Sequence, residues 1–134
     1  MINPTLEIYK YRNSKFAWGQ LDCCLYAANV LKAITGIDYA KDLRNRYSTK
    51  FGATRVIKES GAKDVIDIVS NQLNSVPLRD VDNAKLGDLV AKKEGKGYSI
   101  GVCDGTFGVF IGEEGLYLFN KNKCLYYWKT NINE

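Results

Sequence analysis

The order of signals along the chain predicts a single α+β domain, with N-terminal helices packed on an antiparallel β meander. Helical periodicity closed by capping residues dominates from Asp22 to Leu73. From Ala84 onward, short apolar and aromatic runs alternate with turns built on Gly and Asp. No linker, repeat or low-complexity segment separates the two halves, so they are expected to share one core.

The first fifteen residues end in Tyr9-Lys10-Tyr11-Arg12-Asn13-Ser14-Lys15 and carry more charge than pattern. They read as an arm, residues 1–15, that docks late on a domain spanning 16–134. Gly19, inside the run Phe16 to Asp22, suggests a tight approach to a helix. From Asp22 the pattern is helical: Cys24, Ala27 and Ala28, Leu31 and Ile34 recur at three-to-four spacing, and Gly36 stands at the C-cap. The Asp22 carboxylate is a good N-cap acceptor for the free N–H groups of the first turn, which places Cys23 in that turn. A second helix is expected from about Thr49 to Glu59 and a third from about Lys63 to Leu73, where Val65, Ile68, Val69 and Leu73 make one stripe. Pro77 then breaks the chain.

Leu86-Gly87-Asp88-Leu89-Val90 opens the sheet, and Lys92 to Gly97 reads as an exposed loop. Ile100–Cys103 and Thr106–Ile111 are expected strands joined by a hairpin turn at Asp104-Gly105. Glu113-Glu114-Gly115 turns the chain into Leu116–Phe119. A loop over Asn120–Lys123 leads to the last strand, Cys124–Trp128.

Composition excludes several classes. A chain of 134 residues, 46% of them hydrophobic, can bury a core without metal or disulfide staples. No stretch approaches the ~20 apolar residues of a membrane span, and Met1 to Lys10 lacks the apolar core of a signal peptide. The net charge of +4 comes from 19 basic and 15 acidic residues that interleave, which describes a solvated surface and not a nucleic-acid footprint. The histidine count is zero, which removes Ser-His-Asp and Cys-His catalysis and His-based zinc sites. Cys23, Cys24, Cys103 and Cys124 show no C-x-x-C spacing for metal or redox work, and without an export signal reduced thiols are expected. No cofactor is implied. The loop with Gly95 and Gly97 is no phosphate cradle, because no helix follows it.

The stretch Trp18-Gly19-Gln20-Leu21-Asp22-Cys23-Cys24, followed some sixty residues later by Gly87-Asp88-Leu89-Val90, resembles the NlpC-type branch of papain-like cysteine peptidases. More closely, the chain resembles a group of small phage-encoded proteins of that branch, encoded near tail genes. The further landmarks are Thr35-Gly36, Arg44 to Tyr47, Gly112 to Leu116 and Trp128. The resemblance implies a papain-like fold, places Cys23 at the family's nucleophile, and leaves Asp22 as N-cap or supporting residue. The family's active members carry a His in a His-Val-Gly-Ile-like strand. Here Thr106-Phe107-Gly108-Val109 is matched to it, so Thr106 is expected in the place of the base. With no imidazole, the resemblance implies an inactive peptidase scaffold kept as a virion or tail-assembly component. Such a protein is assembled in the host cytoplasm, and its partners are phage tail or connector subunits. An active cysteine peptidase or amidase on bacterial cell-wall peptidoglycan is the alternative. An inhibitor of one host protein is a third reading, resting only on size and mild basicity.

Each residue also has a structural role to weigh. Cys23 is either a reactive thiol or a small residue buried by inheritance. Cys24, Cys103 and Cys124 are expected to pack. Trp18 and Trp128 are expected to be structural, and Arg44, Arg46 and Tyr47 to salt-bridge the second predicted helix or to form a docking surface.

Overall fold

A computed structural model describes residues 2–130. Among the described residues four α-helices precede a five-stranded sheet, so the α+β class expected from the sequence is what the chain adopts. The helices are α1 (Pro4–Tyr9), α2 (Cys23–Thr35), α3 (Lys50–Glu59) and α4 (Val65–Leu73). The strands are β1 (Leu89–Glu94), β2 (Gly97–Cys103), β3 (Phe107–Gly112), β4 (Gly115–Asn120) and β5 (Tyr126–Trp128).

Short polar side chains set the helix starts. Asp22 accepts the Leu25 N–H at 3.0 Å, Thr49 accepts the Gly52 N–H at 3.0 Å, and Asp64 accepts the Asp67 N–H at 3.0 Å. Gly36 ends α2 in the left-handed region, with φ +80°, where a residue without Cβ is unstrained. Leu25, Tyr26, Val30 and Leu31 of α2 are buried against Ile100, Val102, Val109 and Trp128 of the sheet. A second cluster, with Val90, Cys103, Phe110, Cys124 and Tyr127, fills the opposite face under residues 78–84.

Four expectations are corrected. The first fifteen residues, expected to be short on pattern, carry a helix that packs into the core. Asn3 caps α1 by accepting the Thr5 N–H at 2.9 Å, Pro4 begins the helix, and Ile8 is fully buried in the main core. Tyr9 also reaches across the domain and donates to Asp104 Oδ2 at 2.6 Å. Second, Lys92 to Gly97 is no loop. Lys92, Lys93 and Glu94 continue β1, which turns at Gly95-Lys96 into β2 with Glu94 opposite Gly97. Lys92 is nonetheless buried, its Nζ 2.9 Å from Glu94 and 5.3–5.5 Å from the rings of Phe110, Tyr117 and Phe119. Third, the β2–β3 turn is centred one residue late, on Gly105-Thr106. The Asp104 N–H still donates to the Phe107 carbonyl at 3.0 Å, and Gly105 takes φ +103°. Fourth, the sheet is not a plain meander. Its order is β4-β3-β2-β1-β5, so the last strand crosses back to pair antiparallel with β1, Leu89 opposite Trp128.

Candidate functional site

The site is built where α2 begins and where β2 and β3 part. The printed β2–β3 ladder holds only at Val102–Val109 and Cys103–Gly108. Strand alternation directs the backbone groups of Val102, and therefore of Ile100, toward β3. Beyond Val102 that partner has gone, and the Ile100 N–H turns to the Cys23 sulfur. The Ser99 hydroxyl approaches the same sulfur.

Cys23 is the first residue of α2 and is 9% exposed. Its pKa is lowered, first by the neighbouring Cys24 thiol, which donates to it, and further by the Ile100 N–H and the Ser99 hydroxyl. Burial and the Asp22 charge oppose this. Within the thiol pair the anion therefore belongs on Cys23, and Cys24 is pushed well above the ordinary thiol range. The orphan N–H groups of the first helical turn act in the same sense.

Asp22 is 2% exposed, and its carboxylate is fully engaged. Oδ1 accepts the Leu25 N–H, while Oδ2 accepts the Gly19 N–H at 3.1 Å and the Tyr47 hydroxyl. One side chain thus caps α2 and ties two loops to it. Gly19 has φ +77°, and a Cβ there would lie 1.8 Å from the Tyr47 carbonyl oxygen, so the approach admits only glycine. Desolvation, with the Asp22 bond, raises the Tyr47 phenol well beyond its usual range. The Tyr47 phenol therefore holds its own proton at neutral pH.

The other expected residues separate from the site. Thr106 is exposed at the β2–β3 turn, on the order of 15 Å along β2 from Ser99, so it does not stand in for the missing base. The residue that faces Cys23 from the sheet is Ser99. The run Ser99-Ile100-Gly101-Val102 has the polar, aliphatic, Gly, aliphatic order of a His-Val-Gly-Ile-like strand, which the run from Thr106 breaks at Phe107, and that order would have located it. Cys103 and Cys124 are buried free thiols, as expected of packing residues. Cys24 is only half-buried and lines an apolar cavity of about 30 Å³ between α2, α4 and residues 39–43. Its lining does not include Cys23.

Arg44 makes no bridge to α3; it grips Asp38 through two hydrogen bonds of 2.8 and 2.9 Å. Arg46 donates to the Asp42 carbonyl at 3.2 Å. Trp128 is wholly buried and donates to Ser70 Oγ at 3.1 Å, whereas half-buried Trp18 meets Phe16 edge to face at 4.7 Å.

Among the described residues no group of three or more Cys, Asp and Glu is placed to hold a metal ion. No described helix is long and apolar enough to cross a membrane. Fold and site together define a small α+β domain with a thiol held at a helix start, beside a sheet hydroxyl and a free strand N–H. The chain belongs to the family described as a domain of unknown function, DUF6950, which it matches over residues 5–130. No curated protein and no solved structure matches it.

Proposed function

We propose that this protein is a binding module on a papain-like, NlpC-type scaffold whose hydrolytic site has been retired, and that it serves as a tail-associated structural or assembly component of a phage virion. The observation that carries this reading is the company Cys23 keeps: Ser99, the Ile100 N–H, Cys24 and a fully engaged Asp22. A cysteine peptidase must move a proton off its thiol and later onto the leaving amine, and a positioned acid–base group is worth about 10²–10⁴-fold. Ser99 supplies a hydrogen bond but no such relay. The helix start with Cys23 and the serine at the matching strand position support descent from the NlpC-type enzymes. Its partners are then phage tail or connector subunits, met in the host cytoplasm during assembly.

Mass spectrometry of purified phage particles tests this. The chain is expected at fixed stoichiometry with a tail or connector subunit; recovery only from the soluble part of the infected-cell lysate overturns the proposal. One observation favours a second reading, an active hydrolase on peptidoglycan peptides: the surroundings of Cys23 favour its thiolate. Equal and negligible clearing of peptidoglycan by wild type and Cys23→Ser removes that reading, while clearing that depends on Cys23 replaces the first with it.

A further inference from the structure

On the helix-covered face of the sheet, four segments bring two cations and two tyrosines into one row. The Leu78–Tyr127 bridge sets Arg79 beside Tyr126, the β1–β5 ladder puts Tyr126 opposite Ala91, and the β1–β2 hairpin pairs Lys93 with Tyr98. Residues two apart on a strand share a face, so Ala91 and Lys93, and with them Tyr126 and Tyr98, lie on one side. Ala91 carries only a methyl group, and the two tyrosine rings meet across β1 edge to face, 6.2 Å between centroids. The Arg79 guanidinium lies 5.6 Å from the Tyr126 ring, and the Lys93 ammonium 4.9 Å from that of Tyr98. Both rings are half-buried against the main core, while Arg79 and Lys93 are exposed.

We propose that this row is a docking surface for an acidic segment of a partner protein, one carboxylate taken by Arg79 and another by Lys93. This inference is independent of the function proposed above. Charge selects the partner first. Among the described residues neither cation takes part in an ion pair. The acids next to them in sequence are engaged elsewhere: Asp80 accepts from Asn83 Nδ2 at 2.7 Å, and Glu94 from Lys92 Nζ at 2.9 Å. Two positive charges therefore stand uncompensated, with Lys96 exposed in the adjoining turn.

Geometry adds to this. The aliphatic stems of Arg79 and Lys93 rest on the rings, so their heads are held before a ligand arrives and less entropy is lost on binding. Contacts of 5.6, 6.2 and 4.9 Å keep the two cations within about 17 Å of each other, a span that ~5 residues of extended chain cover. A single strand of nucleic acid would need open ring faces on which to stack. Here each ring is covered by its own cation on one side and packs against the core or the other ring.

Fluorescence anisotropy of a labelled deca-glutamate peptide, titrated with the full chain to about 1 mM at low salt, reads this out. Wild type is expected to bind, and weakly, since exposed ion pairs contribute little each. Arg79→Glu and Lys93→Glu should each weaken binding at least ~5-fold, because a carboxylate then meets a carboxylate. Lys15→Glu makes the same change of charge at the opposite edge, where residues 12–14 lie against Gly115 at the start of β4, and should leave affinity within about twofold. Should a reversal fail to fold, Arg79→Gln and Lys93→Gln take its place, with a smaller loss in the same direction. Absence of binding across the range overturns the proposal, as does a loss from Lys15→Glu equal to that from Lys93→Glu. Tighter binding of an oligothymidylate through Arg79 and Lys93 overturns it too, and assigns the row to single-stranded nucleic acid.

Discussion

Replacing Asp22 with Ala should be among the most damaging single changes outside the apolar core. The substitution removes the α2 cap bonded to the Leu25 N–H, a loss of about 1 kcal/mol. It also strands the buried Gly19 N–H and the half-buried Tyr47 hydroxyl, which share Oδ2, at about 1 kcal/mol each for groups that water reaches only in part. The sum is about 3 kcal/mol. For a domain of this length that lowers the melting temperature by roughly 10 °C. Urea unfolding followed through Trp128, which is fully buried, measures it. Because Tyr47 and Asp22 share a bond, Tyr47→Phe alone should cost about 1 kcal/mol, and the double variant less than the sum of the singles. A loss below about 1 kcal/mol for Asp22→Ala, or strict additivity, would refute the role assigned to this carboxylate.

Two further outcomes follow from the same contacts. Ile8→Ala should cost about 3 kcal/mol in urea unfolding, since Ile8 is fully buried; an effect within ±0.5 kcal/mol would refute the packing of α1 into the core. Stability should fall on the alkaline side. Burial raises the Cys124 thiol to about 11 and also raises Cys103, so the folded chain keeps protons that unfolded thiols release above about 8.5. The contribution is complete below that value and is lost as pH climbs toward about 11; urea titrations at pH 7 to 11 should show a shallower decline for Cys124→Ala than for wild type.

Where a local rule governs an element, the sequence alone disclosed it. The Asp22 cap, the start of α3 near Thr49, the stop at Gly36 and the stripe of α4 depend on residues within a few positions of one another. The start of α1 was equally local, an Asn3-Pro4 pair at N-cap and first position, but six residues offer too little periodicity to weigh against the surrounding charge. The second half of β1 hid for a different reason. Lys92, Lys93 and Glu94 look solvated, and only the rings of Phe110, Tyr117 and Phe119, brought in by two other strands, show why a lysine can sit inside. The crossing of β5 to β1 likewise depends on long-range pairing. At the site, the placement of Cys23 was legible from the capping of α2. Its partner Ser99 was not, because what exposes the Ile100 N–H is the parting of β2 from β3, a matter of register between strands and not of composition.

The alkylation rate of Cys23 in the native protein against pH, read by mass spectrometry on its peptide, bears most directly on a retired thiol site. The contacts around Cys23 predict one ionisation step below the ~8.5 of a free thiol, with Cys103 and Cys124 reacting only at higher pH or on unfolding. No second step should appear on the acid side, because the neighbouring Cys24 thiol and Tyr47 phenol both hold their protons to higher pH. An acid-side inflection, or a Cys23 that titrates no lower than the other thiols, would contradict a favoured thiolate without a proton relay.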